Sequence, residues 1–281
     1  IFVPRTFRMI RLGAVHMLLA AACCFTVFPF LWMAVSSLKT KAEVMAADAF
    51  LPSTPQYGNY LEIVFHSPIP RYLANSLLVA VSVAAIQVMC CSFFAYGVTF
   101  MRIRGRDMLF RLVLFTYMVP TAVTYIPCYI ILSRLGLLDS YQGLILSNGV
   151  SVLGIFLLRQ AFEAVPMETM EAARMDGAGH FRILTGVVFP MTRPSFVTFI
   201  LLSFINTYNS YMWPSLITDA DEKMMVSQGL RKFFIEGGAY GTEWPLVMAG
   251  STLIVLPLLI LFAFTQKWFI NGIGGDTGMK G

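Results

Sequence analysis

Ser203, Asn206, Thr207 and Ser210 recur at i, i+3, i+4 and i+7 in the stretch LLSFINTYNSYMWPSLIT, residues 201–218. On an α-helix that spacing places four small hydrogen-bonding side chains on one face. Tyr208 and Asn209 lie beside them, and Tyr211 and Trp213 follow toward one end. Hydroxyls and amides in such an array read hydroxyl-bearing solutes by hydrogen bonding, and flat sugar faces pack on aromatic rings. Polar residues inside an apolar helix face a bundle interior or a cavity. The competing reading is interhelical packing by Ser, Thr and Asn, with Tyr211 and Trp213 in an interfacial belt. Other chemistry is poorly served. The spans hold no HExxH, no carboxylate pair and no Ser–His set, which ranks a membrane-embedded enzyme last. His16, His66 and His180 are scattered, so no metal cluster is expected. The five cysteines, Cys23, Cys24, Cys90, Cys91 and Cys128, sit in apolar runs without ligand spacing. GGDTGMKG at the C-terminus lacks the spacing and the preceding strand of a phosphate loop and reads as a tail. Gln87 is a lone polar residue in its apolar run and reads as a packing contact.

The elements that must position these residues are membrane helices. Of 281 residues, 57% are hydrophobic and 12% charged, about half the charge of a soluble domain. Six apolar stretches approach the ~20 residues needed to cross a bilayer: 13–36, 74–99, 108–132, 141–158, 195–217 and 246–267. Pro120 and Pro127 interrupt the third, SNG at Ser147–Gly149 the fourth, and Pro257 the sixth. With a cytoplasmic N-terminus, thirteen of the twenty Lys and Arg residues fall on inner segments, which supports an N-in, C-in arrangement. The loop MRIRGRD is the cleanest marker. The expectation is an all-α membrane protein with six transmembrane helices: a cytoplasmic tail at 1–12, a permease domain at 13–267 with a cytoplasmic loop at 159–194, and a tail at 268–281. The outer segment 37–73 reads as mostly irregular with one short helix. The chain opens on Ile1, and a short N-terminal piece is expected to precede it. The formal charge of +5 lacks the aromatic interleaving of a nucleic-acid surface, so no nucleic-acid partner is expected.

The inner loop between the fourth and fifth spans holds EAARMDGAGHFRILTGVVFP, residues 171–190. Pro166 suits the first turn of a helix, and Glu168 and Glu171 lie near its positive end. Gly177 and Gly179 can terminate it in the left-handed conformation. PMETMEAARMDGAG therefore reads as a short helix with a small-residue face. It is either a docking face for another protein or an amphipathic connector resting on the bilayer.

This stretch resembles the EAA motif of the membrane subunits of ATP-binding-cassette importers. Glu171, Ala172, Ala173 and Gly177 hold the pattern, Asp176 and Ala178 complete DGA, and Pro190 closes it. Val187 and Phe189 are mild apolar departures. FPFLWMAVSSLKT, RYLANSLLVA, YIPCYIILSRLGLLDSYQGLIL and the C-terminal TEWPLVMAGSTLIVLPLLILFAFTQKWFINGIGGDTGMKG are similar to carbohydrate-type permeases related to the shorter membrane subunit of the maltose transporter.

The resemblance implies a type I importer permease fold in a bacterial cytoplasmic (inner) membrane. It implies a heterodimer with a second homologous permease, two ATP-binding-cassette ATPases, an extracellular solute-binding protein and a carbohydrate substrate. ATP and Mg would be bound by the ATPase, and this chain would bind no cofactor and catalyse nothing. Glu171, Ala172, Ala173, Met175, Asp176 and Gly177 would form the coupling helix seated in the ATPase. The pathway candidates are Ser203, Asn206, Thr207, Tyr208, Asn209, Ser210 and Tyr211. Relatives commonly read WN where this chain has Tyr208–Asn209, and in the maltose system the longer partner carries the sugar contacts. The alternative cargo is glycerol 3-phosphate or its diesters. A stand-alone secondary transporter is more distant, because it would need in-span ionisable residues and paired repeats.

Overall fold

The computed structural model describes residues 5–46, 50–236 and 242–274. Among these, every regular element is helical. The chain divides into two compact units, one comprising the residues up to Ile69 with Leu230–Leu256, the other Pro70–Gly229 with the residues from Pro257 on.

In the first unit, α1 (Arg5–Ser36) carries the candidate span Leu12–Ser36, none of whose most apolar window is buried. The segment after α1 is more ordered than the sequence suggests, because it holds two helices, α2 (Lys41–Ala46) and α3 (Gly58–His66). A capping box starts α2: Thr40 N–H donates to Glu43 Oε2 at 2.8 Å and Glu43 N–H to Thr40 Oγ1 at 3.3 Å. Two backbone donors at this helix start are thereby satisfied. Ser53 N–H also donates to Glu43 at 3.0 Å, folding the proline-rich chain back onto α2.

The second unit is organised along α4 (Ile69–Phe100), which starts five residues before the expected span. Val79, Val83, Gln87, Cys91 and Ala95 follow at steps of four and line one face. Val79 and Val83 join a buried cluster with Leu132, Leu144, Trp213 and Ile217. Cys91, Ala95, Tyr96 and Phe100 join another with Leu158, Phe162, Met170, Phe196 and Phe199. Gln87 is the polar rung between the two.

Three further spans are bent rather than straight. α5 (Arg106–Thr116) and α6 (Thr121–Arg134) meet at 98°, with Pro120 capping α6. α7 (Tyr141–Ser147) and α8 (Val152–Glu163) meet at 47° across the SNG interruption. After α9 (Met167–Met175) the chain runs through α10 (His180–Ile183), a π-turn at Leu184–Val188 and α11 (Phe189–Met191), then bends by 89° into α12 (Arg193–Tyr208). The expected span 195–217 is not continuous: α12 stops at Tyr208 and α13 (Met212–Ile217) begins anew. Pro214 explains the break, because its ring opposes the carbonyl of Ser210 and it lacks the N–H a continuous helix would use. The opposite correction applies to Pro257, which lies inside an unbroken helix. After α14 (Val226–Glu236), α15 runs Trp244–Gly274. The stretch GGDTGMKG lies, but for its first residue, outside the described residues.

Candidate functional site

Two sites emerge in the second unit. The first is α9. Pro166 stands one residue before it, at the N-cap, rather than within its first turn. The C-terminus is a Schellman motif: Ala178 N–H donates to Ala173 O and Gly177 N–H to Arg174 O, both at 3.0 Å. Gly177 has φ +78° with nothing near its α-carbon hydrogen side. Glycine is favoured there by conformation, not by space.

The helix is held from beneath. Met170 is fully buried, and Ala173 packs against the same cluster. Arg174 donates to Phe100 O at the end of α4, at 3.3 Å. Arg159, at the end of α8, pairs with Glu163 at 2.9 Å and with Asp107 of α5 at 3.2 Å, and its guanidinium lies 3.8 Å from the Phe110 ring centroid. What remains outward is Glu171, Ala172, Met175, Asp176 and Gly177. Ala173 faces the chain's own core, so the small-residue face is narrower than the EAA spelling suggests. The outward face mixes the acidic Glu168, Glu171 and Asp176 with exposed Met167 and Met175, while Met170 points inward.

The second site is a cavity of about 330 Å³. Asn206 and Thr207 of α12, Ser210, and Trp213 and Pro214 of α13 form one wall. Thr121, Thr124, Tyr125 and Cys128 of α6 form another, with Ser147 and Asn148 closing α7 and Val79 and Gln87 contributed by α4. None of the described residues lining it carries a charge. Tyr125 and Trp213 stack with centroids 5.3 Å apart, and Trp213 Nε1 donates to Ser147 Oγ at 2.8 Å. The floor is a polar chain: Ser203 donates to Gln87 Oε1 at 2.8 Å, and Gln87 Nε2 donates to Asn148 O at 2.7 Å.

Of the seven pathway candidates, Asn206, Thr207 and Ser210 line the cavity. Ser203 is buried one turn below in the floor. Tyr208 is buried against Phe204 with centroids 5.7 Å apart, so it packs rather than lines. Asn209 and Tyr211 occupy the break between α12 and α13 and are not among the lining residues. On this face Asn206, Thr207 and Ser210 line the cavity and Ser203 packs, while Trp213, expected in an interfacial belt, is instead buried and bonded to Ser147.

The loops beside the cavity are tied together. Asp139, at φ +48°, accepts from Asp219 N–H at 3.2 Å and Ala220 N–H at 3.1 Å, and pairs with Lys223 at 3.0 Å. These bonds, led by the Lys223 side chain, hold the Asp139 carboxyl below its usual range. Asn75 of α4 donates to Glu222 O at 2.8 Å and Met224 O at 3.0 Å, and Tyr141 donates to Asn75 Oδ1 at 2.9 Å.

Residues 87–274 match the family described as the binding-protein-dependent transport system inner membrane component. The chain belongs to this family. It is 29% identical over 266 residues to the sn-glycerol-3-phosphate transport system permease protein of Brucella abortus (strain 2308), covering 92% of this chain and 94% of that one. It is 30% identical over 257 residues to the arabinooligosaccharides transport system permease protein of Bacillus subtilis (strain 168), covering 89% and 90%. Its fold superposes with a TM-score of 0.84 on a chain from the crystal structure of a bacterial ABC transporter involved in the import of the acidic polysaccharide alginate. That match has 25% identity and covers 96% of this chain and 99% of that one. The fold is thus that of a type I importer permease, and the matched region of this inner membrane component contains α9 and every residue lining the cavity except Val79.

Proposed function

We propose that this permease component forms half of the translocation pathway of an ATP-driven importer for carbohydrate in a bacterial inner membrane. It crosses that membrane several times with both termini inside. It pairs with a second homologous permease, receives cargo from a solute-binding protein, and itself neither binds ATP and Mg nor catalyses hydrolysis. Two separate ATPase subunits supply the energy. The observation that carries this reading is the outward presentation of Glu171, Ala172, Met175 and Asp176 on a helix fixed from beneath by Met170 and Arg174. A projection fixed from beneath, with acidic and small residues around the exposed Met175, is suited to seat in a cleft of another protein and to transmit its movement to α4, α8 and α12. Carbohydrate is favoured over glycerol phosphate by the uncharged cavity beside α12.

The test is purification after mild detergent extraction, with mass spectrometry of the co-purifying chains, followed by reconstitution. Recovery of a second permease and an ATPase is expected. Glu171→Lys and Gly177→Pro should insert normally yet lower ATP-driven uptake at least tenfold. Wild-type uptake in both variants would rule out α9 as the coupling element.

A further inference from the structure

We infer that the cavity between α4, α6, α7, α12 and α13 is a subsite for one ring of an uncharged saccharide, touched directly by this chain, and that it disfavours anionic solutes. The inference rests on the importer reading and adds where the substrate sits and what charge it carries.

Three observations converge. The first is charge. The described lining residues include amides, hydroxyls and aromatic rings but no cation. Beside the cavity, Lys223 pairs with Asp139 at 3.0 Å and Arg71 of α4 with Glu222 at 3.8 Å. Phosphate and carboxylate are held by Arg or Lys forks, and withdrawing an anion from water without such a partner is unfavourable.

The second is the aromatic pair. The Tyr125 and Trp213 rings stack at an interplanar angle of 25°, and the bond from Trp213 Nε1 to Ser147 fixes the indole. An aromatic face carries the negative part of the ring quadrupole. It attracts the C–H face of a sugar ring and repels an anion.

The third is hydrogen-bonding capacity. Gln87 is spent on Ser203 and Asn148. The side chains of Asn206 and Thr207, by contrast, bond to no protein group among the described residues, although both line the cavity. An amide and a hydroxyl each donate and accept, and so does a sugar hydroxyl, whereas a fully ionised phosphate only accepts. The volume, about 330 Å³, lies at the small end of ligand pockets and suits one ring rather than a chain of them.

The experiment uses the complete importer with its binding protein in proteoliposomes. The probes are arabinotriose and maltotriose, which are neutral, and sn-glycerol 3-phosphate and an alginate trisaccharide, which are anionic. Neutral-sugar uptake is expected to exceed uptake of either anion. Asn206→Leu and Thr207→Val should each cut neutral-sugar uptake about tenfold at sub-saturating substrate, the loss of roughly one good hydrogen bond. The effect should fall on KM more than on kcat. Asn206 is exposed and Thr207 half-buried, so neither change should disturb folding. Preferential uptake of an anionic probe, or unchanged sugar uptake in both variants, would overturn the subsite and leave the importer standing. Recovery of the chain without any ATPase would instead overturn the importer reading, and the subsite with it.

Discussion

Gly177 shows how much one residue decides. Its φ of +78° costs an L-residue about 1–2 kcal/mol, and no neighbour stands where a β-carbon would go. Gly177→Ala should therefore destabilise the end of α9 by about 1 kcal/mol, and Gly177→Asn by less, since Asn visits that region more readily. Amide exchange of Ala178 and Gly177 would report the difference. This feature was legible in the sequence because glycine four residues after a helical Ala-Ala has few other uses. Glu43 offers a second test at this scale. Hydrogen bonds to its carboxylate, first from the Thr40 backbone and then from Ser53, lower its pKa from 4.5 to about 2. The ionised form is thus favoured in the folded chain. Its contribution is complete above pH 4.5 and is lost as pH falls toward 2. Exchange protection of residues 50–56 should decline across that window in the wild type and become pH-independent there in Glu43→Gln.

Among the elements, α8 and α12 approach closely. A β-carbon on Gly154 would lie 2.1 Å from the Phe199 ring, and Phe199 is itself buried. Gly154→Ala should cost about 1–3 kcal/mol by overpacking, read as a lower detergent unfolding midpoint, and Phe199→Leu in the same chain should recover part of it. Hydropathy located three unbroken span-length helices and the apolar stretches of three bent pairs, the last of which begins at His180 rather than at residue 195, and SNG marked the α7–α8 break. The break between α12 and α13 was not, because hydropathy runs on unbroken through Pro214 while the backbone cannot. The cavity was legible only in part. Asn206, Thr207 and Ser210 share a helical period, so one wall could be drawn from spacing. Thr121, Thr124 and Tyr125 come from an element some eighty residues away, brought in by the bend before Pro120, and no periodicity within one helix points to them. Gln87, read as a packing contact, is one, yet its bonds to Ser203 and Asn148 also make it the cavity floor.

Across the second unit, the cavity and α9 are joined by continuous packing. Below the Gln87 rung, Cys91 donates to Ser151 O at 3.4 Å. Tyr96, Phe100, Leu158, Phe162 and Phe196 then lead to Met170 under α9, with Phe162 between Phe100 at 6.1 Å and Phe196 at 5.9 Å. A close-packed interior transmits displacement rather than absorbing it, so a push on α9 reaches the cavity floor only while this column is filled. Met170→Ala removes its last member without touching the outward face or the cavity. The truncation should cost about 2–5 kcal/mol and loosen α9 against α4. In the reconstituted importer, substrate-stimulated ATPase activity should persist while solute moved per ATP falls several-fold, and Met170→Leu, which refills the volume, should restore the ratio. A parallel loss of ATPase activity and transport, unrelieved by leucine, would place Met170 in assembly rather than in transmission. An unchanged ratio in the alanine variant would show that movement travels by the backbone of Leu184–Met191 instead.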